Sequence, residues 1–284
     1  MKIKTFGARC PTCQIDRIED GFSFLGHEVI EDNSEPDLIY SNNRWHTEAI
    51  ETKEQYPNAK LILNVLDIPE HVIQHFESDR LQVELRKADA VTCISFFVKD
   101  QIKRFVNMDA RVIYNPMKDV HKTDVKKDIP FLYVGRANDP NKRFSAIFQI
   151  FQYMGITEEN LVVVGTDNPL FGKYMGVVSD EELNNIYNRS HFVFLPSRIE
   201  GIGLSMIEGV MCDCIPVVSK DNLTAVEFVP ELVMEPDIPT IARTIVSYWE
   251  NKPMDLINKY KKDFKVRFHK NTVAKNIIEI YNNC

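Results

Sequence analysis

The sequence lacks any long hydrophobic run and any excess of positive charge. No apolar stretch among its 284 residues reaches the roughly 18–20 residues that cross a bilayer, so no transmembrane segment is predicted. The start, Met1 to Phe6, leads into a strand pattern without the apolar core of a signal peptide. Lys and Arg total 34 against 41 Asp and Glu, a net charge of −7. This charge gives no global attraction to nucleic acid, so DNA is a less favoured partner unless a local basic patch binds it.

Cysteine is also scarce, with six residues in the chain. Cys10 and Cys13 have the Cys-x-x-Cys spacing of zinc and redox sites, but no second such pair follows, and a structural zinc site needs four ligands. We interpret both as free thiols in a loop, with a metal or redox role as the alternative. A reducing, cytoplasmic compartment without structural disulfides is expected, and no metal site is predicted.

Short apolar runs alternate with amphipathic stretches along the whole chain. The runs are rich in β-branched residues and do not alternate with polar ones, which is typical of parallel strands buried on both faces. The strands predicted in the first half are Ile3–Gly7, Asp37–Tyr40, Lys60–Val65, Ala90–Ile94 and one ending at Ile113–Pro116, with helices at Ile15–Leu25, Trp45–Gln55 and Phe97–Val106. Those of the second half are Phe131–Val134, Leu161–Val164, His191–Leu195 and Cys214–Val218, with helices at 142–153, 180–189, 203–212 and 222–228 and a helical pattern from Ile238 to Cys284.

A polar segment divides this alternation. We predict an N-terminal domain over 1–117, a linker over 118–130 and a C-terminal domain over 131–267. A last helix at about 268–284 is a candidate to pack back on the first domain. The predicted fold class is α/β, with two facing doubly wound Rossmann-like domains and a cleft between them. Because ligands of such sheets bind beyond the carboxyl ends of the strands, the cleft is the predicted binding place.

Cations follow the first predicted strand of the second half. Gly135 and Arg136 come directly after Phe131–Val134, and Lys142 and Arg143 are predicted to open the next helix. Cations near a helix N-terminus suit phosphate oxygens, because the free N–H groups and the helix dipole add to the full charges. The alternative is a solvated basic helix start.

Two glutamates and two glycines follow the strand His191–Leu195. Gly201 and Gly203 allow the backbone to approach a ligand closely, and Glu200 and Glu208 can each accept hydrogen bonds from two hydroxyls. Eight positions along a helix rotate a pair by about 80°, so we expect the two carboxylates to contact different parts of one extended ligand. Gly165, after Leu161–Val164, marks either another close approach or a plain turn.

These motifs resemble the C-terminal domain of retaining GT-B glycosyltransferases of family 4. The segments that carry the resemblance are Phe131-Leu-Tyr-Val-Gly-Arg136 with Lys142, Ser179-Asp-Glu-Glu-Leu183 with Tyr187, Pro196 through Glu208 with two glutamates separated by seven residues, and Cys214-Ile-Pro-Val-Val218. The match covers about 131–230. The first half resembles the family's acceptor domain more loosely, through Ala88–Lys99 and Arg111–Pro116.

The resemblance implies a donor site for a nucleotide-diphosphate sugar, with UDP among the candidate nucleotides and no cofactor. Arg136 and Lys142 would clamp the diphosphate, Glu200 would hold the hydroxyls of the sugar, and Glu208 those of the ribose. The implied catalytic set is Arg136, Lys142 and Glu200. The implied donor-binding set is Gly135, Gly165, Arg198, Gly201, Ile202, Gly203, Leu204 and Glu208.

The resemblance also implies transfer to an acceptor hydroxyl with retention of the anomeric configuration. Fixed cations and N–H dipoles stabilise the charge that develops on the leaving diphosphate, and the absence of an Asp-x-Asp motif suits protein cations in place of a divalent metal. Alternatives are a GT-B sugar-nucleotide epimerase, a phosphorylase, and a non-catalytic module that binds nucleotide sugars.

The chain departs from the family at three points. Gly7-Ala-Arg-Cys10 stands where a Gly-Gly loop is usual, Asp213 replaces a glycine, and Leu66-Asp67 stands where a histidine often contacts the sugar's C6 hydroxyl. A missing contact there would fit a pentose donor, unless His46 or His71 supplies it. The candidate acceptor-side residues are Gly7, Arg9, which could reach a phosphate, and Asp67.

The expected acceptor is a glycan or another hydroxyl compound, a modified DNA base included. Two basic segments, Lys99–Arg111 and Lys259–Lys270, are interpreted as solvated helix faces or as a track for an anionic acceptor.

Overall fold

The computed structural model describes residues 1–9, 14–43, 45–66 and 78–284. These residues form two compact units. The first combines Met1–Pro116 with Val266–Cys284, and the second is Met117–Lys265.

A six-stranded parallel sheet lies at the centre of the first unit. Its strands, in the order β2-β1-β3-β4-β5-β6, are β1 Lys2–Phe6, β2 Glu28–Val29, β3 Leu38–Asn42, β4 Lys60–Val65, β5 Ala90–Cys93 and β6 Arg111–Val112. The helices between them are α1 Ile15–Phe24, α2 His46–Gln55, α3 Ser78–Leu85 and α4 Phe96–Val106. Strand β3 is buried along its whole length, as expected of an inner strand covered on both faces.

The second unit contains a five-stranded parallel sheet. Its strands, in the order β11-β10-β7-β8-β9, are β7 Ile129–Val134, β8 Leu161–Val164, β9 Lys173–Tyr174, β10 Ser190–Phe194 and β11 Ile215–Val217. Its helices are α5 Ser145–Met154, α6 Asp180–Arg189, α7 Leu204–Met211, α8 Leu223–Phe228, α9 Ile238–Glu250 and α10 Met254–Arg267, whose last two residues belong to the first unit. Phe131 lies at the centre of the core and contacts Phe151 edge-on and Phe192 in a stacked arrangement.

The chain returns to the first unit at its end. Helix α11, Lys270–Tyr281, packs against α1, and Val273, Ala274 and Ile277 lie in the same buried cluster as the side chains of β1 and β3. The two helices approach closely at Gly21, where a Cβ atom would lie 2.5 Å from the carbonyl oxygen of Lys270. The core of this unit is therefore built from both ends of the described chain.

The predicted α/β class, with Rossmann-like parallel sheets, is confirmed. The structure adds elements that the sequence did not predict, namely α3 and the two-residue edge strands β2 and β9. Strand β7 begins at Ile129, two residues before the predicted start. Of the helices in the described ranges, none combines the length and the apolar character needed to cross a bilayer.

The polar segment 118–128, which the sequence predicts as part of a linker, contains no helix or strand and is hydrogen-bonded to α6 within the second unit. The backbone N–H groups of His121 and Thr123 donate to the side-chain oxygens of Asn184 and Asn188, at 2.9 and 2.8 Å. Those two asparagines lie one turn apart on α6, which places their amides on one face.

Candidate functional site

The order of strands in the second sheet indicates where a ligand binds. Strands are added in one direction from β7 to β8 and β9, and in the other direction to β10 and β11, so the order reverses between β7 and β10. In doubly wound sheets, ligands bind beyond the carboxyl ends of the strands at such a switch point. The segment after β7 carries Arg136 and Lys142, and the segment after β10 carries Glu200.

Lys142 and Glu200 are in direct contact at this edge. The Lys142 Nζ lies 2.6 Å from Glu200 Oε1, although 58 positions separate the two residues. Ser197 donates its hydroxyl to the same carboxylate oxygen at 2.5 Å. Their side chains are only 22% and 11% exposed, so the pair is weakly screened by water. The structure thus brings together a fixed cation and a fixed carboxylate from two separate loops.

The helix that follows β7 starts later than the sequence predicts. A 3-10 turn, Pro140–Lys142, is capped by Asp139, and α5 begins only at Ser145. Between them Arg143 adopts a left-handed conformation with φ +45°, which interrupts the helical path. Lys142 and Arg143 therefore precede the helix instead of opening it.

The neighbouring cations also have carboxylate partners. Arg136 is exposed and donates to Asp139 at 2.7 Å, while Arg143 pairs with Asp221 at 2.6 Å. The sequence singled out the cations but missed both aspartates. Asp139 had a signal, because an Asp before a Pro is a common start of a capped turn.

Glu208 lies inside α7, where it is 5% exposed. Its Oε2 accepts a hydrogen bond from the Tyr187 hydroxyl at 3.1 Å, and its Oε1 accepts one from the backbone N–H of Lys118 at 3.3 Å. Burial, together with the adjacent carboxylate, raises the pKa of Tyr187 well above its usual value. Tyr187 therefore stays protonated and donates to Glu208, which fixes the orientation of the carboxylate.

Gly203 separates Glu200 from Glu208. It precedes α7 with φ +78°, a conformation that favours glycine, and Glu200 lies in the loop before it. The two glutamates consequently belong to different elements and have different partners. Ile202 is buried, and Gly201 and Leu204 flank the turn at intermediate exposure, while Arg198 is exposed.

Gly135 and Gly165 contact each other at the ends of β7 and β8. A Cβ atom on Gly165 would lie 2.0 Å from the carbonyl oxygen of Gly135, and the Gly135 N–H donates to Val164 at 2.9 Å. This backbone contact accounts for the glycine at position 165 without a ligand.

Two of the acceptor-side candidates, Gly7 and Arg9, lie in the first unit. A Cβ atom on Gly7 would lie 3.0 Å from that of Ile15, so this glycine allows β1 to end close to α1. Arg9 pairs with Glu19 at 2.8 Å, Asp16 at 3.2 Å and Glu31 at 3.7 Å. Three carboxylates around one guanidinium leave local negative charge, which disfavours a phosphate there.

Of the other residues singled out from the sequence, some lie within the described ranges and some lie outside them. His46 is buried, with its Nε2 3.2 Å from the carbonyl oxygen of Asn64. Asp67, His71, Cys10 and Cys13 lie outside the described residues. Asp213, where the resemblance led us to expect a glycine, has φ +60°, a conformation that Asp tolerates better than most side chains.

Several cations of the basic segments are paired with carboxylates. Lys259 bonds to Glu231, Lys261 to Asp213, and Lys270 to Asp20. In the other segment Lys99 lies 3.2 Å from Asp109. These contacts favour solvated, charge-balanced helix faces over an anion track. Within the described ranges no group of three or more His, Cys, Asp or Glu side chains is placed to hold a metal ion.

The two parallel sheets have the architecture of the GT-B fold, and known structures identify the chain as having this fold. HepE of Anabaena, in complex with UDP and glucose, is 16% identical with a TM-score of 0.74 over 100% of both chains. Sucrose-phosphate synthase of Thermosynechococcus elongatus is 14% identical with a TM-score of 0.78, over 100% of this chain and 98% of that one.

An α-glucosyltransferase in complex with UDP and a 13-mer DNA containing an HMU base has a similar structure too. It is 14% identical with a TM-score of 0.65 over 99% of both chains. No protein-family model matches this chain, and no curated protein matches it in sequence. At these identities the comparisons establish the fold.

Proposed function

We propose that the protein is a retaining glycosyltransferase that moves a sugar from a nucleotide-diphosphate sugar to an acceptor hydroxyl. The observation that carries this proposal is the contact of Lys142 with Glu200 at the switch point of the second sheet, 2.6 Å between Nζ and Oε1. A cation beside a carboxylate suits a ligand in which a diphosphate adjoins a polyol. The ammonium attracts phosphate oxygens, and the carboxylate accepts hydrogen bonds from hydroxyls.

The proposed donor is a UDP-sugar. HepE has been solved with UDP and glucose and with UDP-glucose, and the α-glucosyltransferase has been solved with UDP. In this chain Arg136 and Lys142 bind the diphosphate, Glu200 the hydroxyls of the sugar, and Glu208 the ribose. The backbone N–H groups around Gly201–Leu204 face the phosphates.

Charge development explains what these groups contribute. As the bond between the anomeric carbon and the diphosphate breaks, negative charge collects on the departing oxygens. Lys142, held in place by Glu200, whose carboxylate also accepts the Ser197 hydroxyl, stabilises that charge without reorganising. In this proposal protein cations take the place of a divalent metal. A donor phosphate oxygen accepts the proton of the acceptor hydroxyl, so the new bond forms on the face that the diphosphate leaves.

The proposed acceptor is a hydroxyl of a neutral glycan. The carboxylates around Arg9 and the paired lysines of the second basic segment both disfavour a polyanion. A DNA base is the second candidate acceptor, because the α-glucosyltransferase was solved with DNA. If DNA is the acceptor, its affinity falls steeply with rising salt, since cations must be released from the phosphates.

The proposal is tested by a thermal-shift screen and calorimetry with UDP-, GDP-, ADP- and dTDP-glucose and with UDP-xylose. We expect UDP-glucose to bind, and a ligand at 100 times its Kd to stabilise the fold by about 2.7 kcal/mol. Tighter binding of UDP-xylose would support a pentose donor, and a clear preference for glucose would reject that idea. The absence of binding heat with every nucleotide sugar would refute the proposal.

Turnover assays separate the remaining activities. UDP release that increases when a hydroxyl acceptor is added indicates a transferase, whereas an epimerase interconverts the sugar without a new glycoside. A phosphorylase requires inorganic phosphate, and a binding module binds the donor without turnover.

Replacing Glu208 by Ala tests the ribose contact. We expect affinity for UDP and UDP-glucose to fall together, about tenfold or more, because a hydrogen bond to a charged group contributes about 1.5–3 kcal/mol. Glu182→Ala is the matched control, since that glutamate is exposed on α6. Unchanged calorimetric affinity of the Glu208 variant would contradict the assignment.

A further inference from the structure

The loop that carries Glu200 is held by side chains from outside it. This loop, 196–200, follows β10, and three of its carbonyl oxygens accept side-chain hydrogen bonds. Arg143 Nε donates to Pro196 at 2.8 Å, and Asn222 Nδ2 donates to Ser197 at 2.9 Å. Thr224 Oγ1 donates to the carbonyl oxygen of Glu200 itself at 2.5 Å.

The donors are themselves fixed. Asn222 and Thr224, at the start of α8, are 0% and 1% exposed, and the Asn222 side-chain oxygen accepts the N–H of Ala225 at 3.0 Å. Arg143 donates to both carboxylate oxygens of Asp221, at 2.6 and 3.2 Å. Asn222 and Thr224 are buried and Arg143 is held by a carboxylate, so each donor is restricted to one geometry, because leaving a buried polar group unpaired is costly.

Thr224 occupies a particular place in this arrangement. It bonds to the backbone of Glu200, while Lys142 and Ser197 bond to the carboxylate of the same residue. The backbone and the side chain of Glu200 are thus fixed from different sides. Removing the Thr224 hydroxyl removes the side-chain bond to the Glu200 carbonyl oxygen and leaves Lys142 and Ser197, the partners of the carboxylate, unchanged.

We propose that Thr224 is a positioning residue for Glu200, setting where the carboxylate meets the sugar hydroxyls of the donor. This inference rests on the proposed function. It predicts that loss of the hydroxyl affects the sugar part of the donor more than the nucleotide part, since Glu208 and Arg136 belong to other segments, whereas Lys142 contacts Glu200 directly. A residue that only stabilised the fold would affect both parts equally.

The test compares Thr224→Val with Thr224→Ser and with the control Thr244→Val. Valine keeps the volume of threonine and removes the hydroxyl. Thr244 makes an equivalent bond to a backbone carbonyl, 2.9 Å to Thr240, within α9. For each variant the Kd for UDP, the Kd for UDP-glucose and the rate of UDP release from UDP-glucose are measured. Hydrogen exchange of peptides covering 196–203 is followed without ligand.

We expect Thr224→Val to lower the affinity for UDP-glucose, or its turnover, at least tenfold and to lower the affinity for UDP by a clearly smaller factor. Exchange in 196–203 should accelerate. Thr224→Ser should restore all values, and Thr244→Val should match the parent. Equal losses for UDP and UDP-glucose would overturn the inference, as would parent-like behaviour of Thr224→Val.

Two further outcomes are informative. If Thr224→Val does not fold, Thr224→Ala undergoes the same measurements and the same criteria apply. If the parent binds no UDP-sugar, the proposed function fails at that step. The loop is then judged by hydrogen exchange alone, and unchanged exchange in 196–203 overturns the positioning role.

Discussion

The ammonium group of Lys142 contacts the Glu200 carboxylate. In the proposed reaction it also faces the departing diphosphate. Replacing Lys142 by Met keeps most of the side-chain volume and removes the charge. We expect UDP release from UDP-glucose to slow by about 10²–10³, the usual cost of losing one group that stabilises developing charge. Steady-state kinetics measure the effect.

The control for this substitution is Lys220→Met. Lys220 pairs with Glu235 in the same unit, but both side chains are more than half exposed. Such surface pairs contribute little, so this variant should behave as the parent does. If both lysine variants turned over UDP-glucose at the parent rate, Lys142 would have no catalytic role.

Sequence reasoning reached Lys142 and Glu200 because both follow strands whose carboxyl ends meet at one edge of a sheet. It did not reach Asp221 as the partner of Arg143, because that contact depends on the left-handed backbone at Arg143. It also did not reach Thr224, whose hydrogen bond joins the first turn of α8 to a loop residue 24 positions earlier in the chain. Contacts that depend on the conformation of a loop cannot be predicted from the spacing of residues in the sequence.

At the scale of elements, the start of α7 depends on Gly203. A Cβ atom at this position would lie 2.7 Å from Leu195 Cδ2, and the residue has φ +78°. We expect Gly203→Ala to lower the free energy of unfolding by about 1–2 kcal/mol from the backbone alone, with an additional cost from the contact. Because α7 carries Glu208, affinity for UDP should fall as well.

Gly155→Ala is the matched variant for Gly203→Ala. Gly155 has φ +67°, but nothing lies within 4 Å of an added Cβ atom. We therefore expect Gly155→Ala to lose stability only through the strained backbone conformation. Denaturant unfolding and calorimetry with UDP compare the two. If both variants lost the same stability and kept their UDP affinity, the expectation for Gly203 would be wrong. Leu195 would then move away from the added Cβ atom without a measurable cost.

Elements with strong local signals were predicted within one to three residues. Strands β4 and β8 have the predicted bounds, and α6 begins after Ser179, whose hydroxyl accepts the N–H of Glu182 at 3.1 Å. The two-residue strands β2 and β9 were missed because they are too short to show a period. Helix α3 has few residues in the core, chiefly Leu81 and Leu85, and its mixed pattern gave no clear signal.

For the molecule as a whole, the contact of α11 with α1 joins distant parts of the chain. Gly21→Ala places a Cβ atom 2.5 Å from the Lys270 carbonyl oxygen and 2.8 Å from the Ala274 Cβ. We expect a loss of about 1–3 kcal/mol, although alanine favours a helix by about 1 kcal/mol over glycine. Thermal unfolding should report this loss, and hydrogen exchange should accelerate in α1 and α11.

Ser23→Ala, on the exposed side of the same helix, is the control. It should be neutral or slightly stabilising, because alanine has the higher helix propensity and no contact changes. A Gly21→Ala variant as stable as Ser23→Ala would mean that the two helices move apart without cost.

The return of α11 to the first unit has a consequence for synthesis on the ribosome. The second unit is one continuous stretch, Met117–Lys265, and can close as soon as it has emerged. The first unit has to wait for Val266–Cys284, which at about 5–20 residues per second arrives roughly 10–30 s after its other residues. Until then the apolar surface that α11 covers has no partner from this helix, so the unit whose synthesis begins first is the one completed last.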